Sequence, residues 1–137
     1  MTKHLCLKTI IPFVAGAAIM SIPPVMQKAF ADAASEVVNA QTHAGLAAAS
    51  TKIDGVHTHL HHTLNCLVGP VGDGFDAKQM NPCAQAGAGA IPDTTDAAKR
   101  KSLEAAAAKA REGIAATDFA AAQKDAADTS AMLKAVK

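Results

Sequence analysis

The chain has 137 residues, with 13 Lys and Arg against 12 Asp and Glu, 6 His, 3 Cys and a formal charge of +1. That length supports one domain at most, and without a basic excess there is no electrostatic case for nucleic acid. Trp and Tyr are both absent, which also removes a stacking platform for single-stranded bases.

Residues 1–31 read as a secretory signal peptide. Lys3 and Lys8 supply the positive start, Thr9–Ile22 the apolar run, and Pro23-Pro24 its end. Ala29-Phe30-Ala31 is an A-x-A cleavage site, so cutting is expected after Ala31. The apolar run is too short to span a bilayer comfortably. Cys6 precedes that run and leaves with it. The expected destination is the periplasm or the exterior, with no membrane insertion once the leader is removed.

Residues 32–137 form the expected single helical domain, with 10 basic and 12 acidic residues and a net charge of −2. Val, Ile, Leu, Met and Phe total 19 there, and Ala totals 28. Alanine favours helix but buries little surface. A core this thin calls for a covalent staple, a bound ion or a partner chain, so an oligomer is one option.

Residues 32–67 pattern as a first helical hairpin. Leu46, Ile53, Leu60 and Leu67 recur at sevens, with Val56 and Leu64 in the same stripe. A break is expected near Ser50, with Thr51-Lys52-Ile53-Asp54 as a capping box. Residues 68–92 carry five glycines and three prolines, which argues against regular structure. Residues 93–137 then form a second hairpin. Asp93 or Thr95 should cap its first helix and Thr117-Asp118 its second. The inner faces should be Leu103, Ala107, Ala110 and Ile114, then Phe119, Ala122, Ala126 and Leu133. An offset of 68 pairs Gly45-Leu46-Ala47-Ala48 with Gly113-Ile114-Ala115-Ala116. The fold class is therefore all-α: an antiparallel four-helix bundle made of two αα-hairpins joined by a long loop.

Cys66 and Cys83 are an even count in an exported chain, which favours a disulfide closing 16 intervening residues. The competing reading, a pair of thiolate metal ligands, lacks C-x-x-C spacing. The absence of C-x-x-C-H also excludes covalent haem attachment.

The segment from Val56 to Cys66 holds four histidines within six residues. At 100° per residue, His57, His61 and Asp54 line one edge of the apolar stripe, while His59 and His62 fall on the outer face. Folding the hairpin at residue 50 sets His43 opposite His57. His43, His57 and His61, with Asp54 or water, then make a nitrogen-rich site suited to copper, nickel or zinc, with copper favoured on affinity. His59 and His62 are secondary ligands or solvated positions. The bland alternative leaves His57 and His61 donating to carbonyls and Asp54 as a cap. No G-x-S-x-G, H-E-x-x-H or P-loop occurs, so an enzyme is not expected.

The elements His61-His62, Asn65-Cys66-Leu67-Val68-Gly69-Pro70, Gly74-Phe75-Asp76 and Asn81-Pro82-Cys83 resemble a set of uncharacterised small exported proteins of Gram-negative bacteria. More loosely, the exported Ala- and His-bearing helical hairpins are similar to periplasmic small metal-binding proteins. That resemblance implies a four-helix bundle holding copper or another divalent ion. Here it implies one or two sites, at His43, His57 and His61, with His59 and His62 secondary. The expected function is non-enzymatic binding of a transition metal, for buffering or handling. The rival expectation is an interaction module whose stapled loop 68–92 contacts a periplasmic protein partner.

Overall fold

A computed structural model describes residues 32–136. The expected leader lies outside the described residues. The regular structure of the described residues is all helical, with five helices and no strand: α1 Ala33–Ala48, α2 Ile53–Val68, α3 Ala90–Asp93, α4 Ala97–Ala115 and α5 Phe119–Ala135. None of these helices is long and apolar enough to cross a membrane.

α1 packs on α2 and on α5, and α4 packs on α5 and on α2. The single turn of α3 touches α1, α2 and α4. Between α1 and α2, residue 40 meets residue 63 and residue 43 meets residue 59, so contacts run in opposite directions along the two helices.

Aspartates start three of the helices. The Asp32 side chain accepts from the Ala34 amide, Asp96 from Lys99 and Asp118 from Ala121, each satisfying an otherwise orphan donor. Asp118 is one of the expected caps. The other expected caps move: α4 is capped by Asp96, beyond both Asp93 and Thr95. The expected box at Thr51–Asp54 does not form either. α2 begins after Lys52, whose side chain makes no capping bond. Thr51 therefore sits one residue too early to cap, and Asp54 falls at the second helical position instead of the third.

α1 buries Glu36, Ala40, Ala44 and Ala47. This face is set by small residues, and Leu46 is turned outward, 46% exposed. The heptad stripe expected to start at Leu46 thus begins only in α2, where Val56, Leu60, Leu64 and Leu67 are all buried. Leu60, Leu67, Leu103 and Leu133 are the largest fully buried apolar side chains, each contributing about 1.5–3 kcal/mol on burial. Small residues let the helices approach. A Cβ at Gly113 would come within 2.6 Å of Leu60 Cδ1, so glycine there is what allows α4 to lie against α2.

The long connection is mostly turns, but it ends in α3, where irregular structure was expected. It returns to its own starting point. Gly69 and Gly89 both have positive φ, and a Cβ on Gly69 would fall 1.5 Å from Ala88 O. Only glycine fits this backbone-to-backbone crossing. Cys66 and Cys83 form the expected disulfide. Asn65, fully buried, completes the anchorage: its amide donates to the Asp76 and Met80 carbonyls, and its Oδ1 accepts from the Asp76 amide. Glu36, also fully buried, accepts from the Gly89 amide at 3.0 Å.

Candidate metal centre

His43 stands on the buried flank of α1, one turn from Ala40. His59 and His62 stand three residues apart on α2, so they share a side of that helix. One hydroxyl sets the register between the helices. Thr63 Oγ1 lies 3.2 Å from Ala40 O and 2.9 Å from His59 O, and its proton is shared between them.

The three imidazoles converge. His43 and His62 have ring centroids 5.1 Å apart and meet edge to face, as do His59 and His62 at 5.6 Å. His43 and His59 are 5.6 Å apart and tilted, with their Nδ1 atoms separated by 3.4 Å. One ring nitrogen from each of the three lies within 4.8 Å of one from each of the others, a spacing that can hold a metal ion.

Burial shapes their chemistry. His62 is only 7% exposed, and its Nδ1 is buried without a hydrogen-bond partner. Burial, then the like charges of His43, His59 and His61, hold the His62 pKa below its ordinary 6.5. Burial and then His59 do the same for His43. Both rings are therefore neutral at pH 7, and a neutral imidazole presents the lone pair that a metal needs.

The other expected ligands are placed elsewhere. His57 Nε2 donates to Ala116 O at 3.0 Å, so this ring ties α2 to the end of α4. His61 Nδ1 lies 3.8 Å from Asp76 Oδ2, facing the stapled loop. Asp54 is exposed and is not part of the histidine group. The expected convergence of His43, His57, His61 and Asp54 is thus replaced by His43, His59 and His62. His62, expected on a solvated face, is buried.

The reason is which neighbour covers which flank of α2. α1 covers the side bearing His59 and Thr63, and α4 covers the side bearing His57. The hairpin is also centred near residue 51 instead of 50, since His43 opposes His59. One residue of error at the turn moves the opposing position by two. The signal present in the sequence is the i, i+3 spacing of His59 and His62, which matches an α-helical pair as well as the i, i+4 spacing of His57 and His61 does.

No protein-family model, curated protein or solved structure matches the chain. The geometry of the site therefore carries the functional assignment.

Proposed function

We propose that this protein binds a divalent transition-metal ion through His43, His59 and His62, and that it buffers or hands on that ion without catalysing a reaction. The observation carrying this reading is the meeting of three ring nitrogens within 4.8 Å, one of the rings buried with an unpartnered Nδ1. A buried polar atom without a partner is costly unless something satisfies it, and a bound cation would. We further read the fold as an antiparallel four-helix bundle, with the site on one of its helix pairs. We place the protein in the periplasm of a Gram-negative bacterium, or outside the cell. The leader-like segment 1–31 and the Cys66–Cys83 disulfide, which persists best in an oxidising compartment, support that placement.

Calorimetric titration with Cu(II), Ni(II) and Zn(II) at pH 7.5 tests the reading. Binding tighter than tens of micromolar is expected for a dedicated site, and its absence for all three ions defeats it. His43→Ala or His62→Ala should weaken binding by more than the roughly 10–100-fold that loss of a supporting hydrogen bond costs a metal site. His57→Ala and His61→Ala should leave it within about threefold, because neither ring belongs to the group.

A second reading is favoured by the loop. Its anchors hold Val71 and Met80 outward, 92% and 57% exposed. Rigid display of apolar side chains suits contact with a protein partner. Val71→Glu with Met80→Glu should then abolish capture of a periplasmic partner and leave metal affinity unchanged.

A further inference from the structure

The 3.4 Å between His43 Nδ1 and His59 Nδ1 carries more than the presence of a site. It is long for a hydrogen bond, though it still admits one between a ring N–H and the other ring's nitrogen. It does match a polyhedron edge. Two zinc–nitrogen bonds of about 2.0–2.1 Å meeting at the tetrahedral angle place their nitrogens about 3.3–3.4 Å apart. Bonds of the same length around a square-planar or octahedral ion place neighbouring nitrogens about 2.8–3.0 Å apart and opposite ones about 4.0–4.2 Å apart. The His43–His59 separation falls between those two values, and the three ring nitrogens together lie within 4.8 Å.

The ligand count is equally specific. Among the described residues no fourth His, Cys, Asp or Glu joins the group. His43 and His59 are only partly buried, whereas His62 is closed off. The protein thus supplies three nitrogens from the inside and leaves the outer side to solvent. Sites that store zinc as a structural element are four-coordinate and closed. Sites that keep an exchangeable ligand use three protein donors and one open position.

Resting on the metal-binding reading above, we infer that the ion is tetrahedral zinc(II), with a fourth position occupied by exchangeable water or a small anion. Three imidazole nitrogens in this arrangement disfavour nickel(II), which prefers tetragonal surroundings. Affinity alone does not separate zinc from copper(II), because copper binds any imidazole site more tightly. Geometry does separate them, and the open face is what a protein that hands its ion onward requires.

Cobalt(II) replaces zinc and reports its surroundings. The purified protein, stripped with chelator, is titrated with Co(II), and the visible spectrum is recorded before and after adding sodium azide. Intense visible bands that shift with azide are expected. The bands should be lost in His62→Ala and kept in His57→Ala. Zinc should bind at least tenfold more tightly than nickel by competition. Weak, six-coordinate bands, or nickel equal to zinc, would overturn the tetrahedral assignment while leaving a metal site in place. Intense bands unmoved by azide would overturn the open position. Failure to bind cobalt, zinc, nickel or copper at all would remove the metal reading itself, together with the inference built on it.

Discussion

The helical pair α1–α2 and the pair α4–α5 are built from similar material and differ in what they bury. α4 and α5 bury Leu103, Ala106, Ala107, Ala110 and Gly113 against Ala122, Ala126, Thr129 and Leu133. Their charged residues stay at the surface in pairs such as Lys109 with Glu112 and Asp125, and Lys124 with Asp128. Such exposed pairs contribute little to stability. α1 and α2 instead bury Glu36, His62, Thr63 and Asn65. Glu36 and Asn65 seat the loop, Thr63 sets the register and His62 faces the other imidazoles. The difference lies in the polar side chains: α4 and α5 bury only Thr129, whose hydroxyl bonds within its own helix, whereas those of α1 and α2 hold the loop, bridge the two helices or face the other imidazoles.

Breaking the disulfide should show the contrast most strongly. Closure of a loop of this length contributes about 3 kcal/mol in the chain-entropy picture. Cys66→Ser with Cys83→Ser should lower stability by about that much in urea denaturation. Hydrogen exchange should rise first in residues 69–89 and α1, before α4 and α5.

The next effect is a pH dependence of unusual sign. Burial first, then Asp93 and Asp32, push the Glu36 carboxyl up to about 7, although the Gly89 amide opposes this. The unfolded chain releases that proton near 4.5 while the folded chain keeps it to about 7. Glu36 therefore stabilises the fold at low pH, and this contribution is lost as pH rises from 4.5 through 7, on the order of 3 kcal/mol. His43 and His62 act oppositely: their depressed pKa values favour the fold above 6.5 and disfavour it as pH falls. In Glu36→Gln the acid-side gain should vanish from thermal melts between pH 4.5 and 7. Only the histidine slope, with stability rising with pH, should remain.

The smallest effect sharpens the internal likeness. Gly45 and Gly113 are equivalent in the 68-residue offset, yet their surroundings differ. A Cβ at Gly45 meets only Ser130 Oγ, at 3.8 Å. One at Gly113 meets Leu60 Cδ1 at 2.6 Å and Asp125 Cβ at 3.1 Å. Gly45→Ala should stabilise by about 1 kcal/mol through helix propensity. Gly113→Ala should destabilise by about 1 kcal/mol, because overpacking outweighs the same gain. Equal shifts in the two melting temperatures would mean that the two glycines are packed alike after all.

Much of the fold is legible in the residues themselves. The helical stretches follow from alanine content and spacing, and the break near Ser50 from local residue types. The Cys66–Cys83 bond follows from an even count of cysteines after the leader-like segment. The apolar stripe of α2 is legible from Val56 to Leu67. Period alone cannot say which flank of that stripe a neighbouring helix covers. That choice depends on the hand in which α4 and α5 are laid beside the first pair, and reversing it exchanges the environments of His57 and His59. Leu46 misleads for a related reason. It continues the heptad, but α1 meets its neighbours through Glu36, Ala40, Ala44 and Ala47, a face too plain to stand out.

The shared proton of Thr63 acts as a gauge for the imidazoles. Its bond to His59 O lies within α2 and survives a slide of α1, whereas the bond to Ala40 O crosses between the helices and is lost. Sliding α1 by a single residue would displace His43 by about 1.5 Å along the axis. Metal–ligand distances tolerate only about 0.2 Å. The one bond from Thr63 that crosses between the helices thus reads out the alignment on which the proposed site depends.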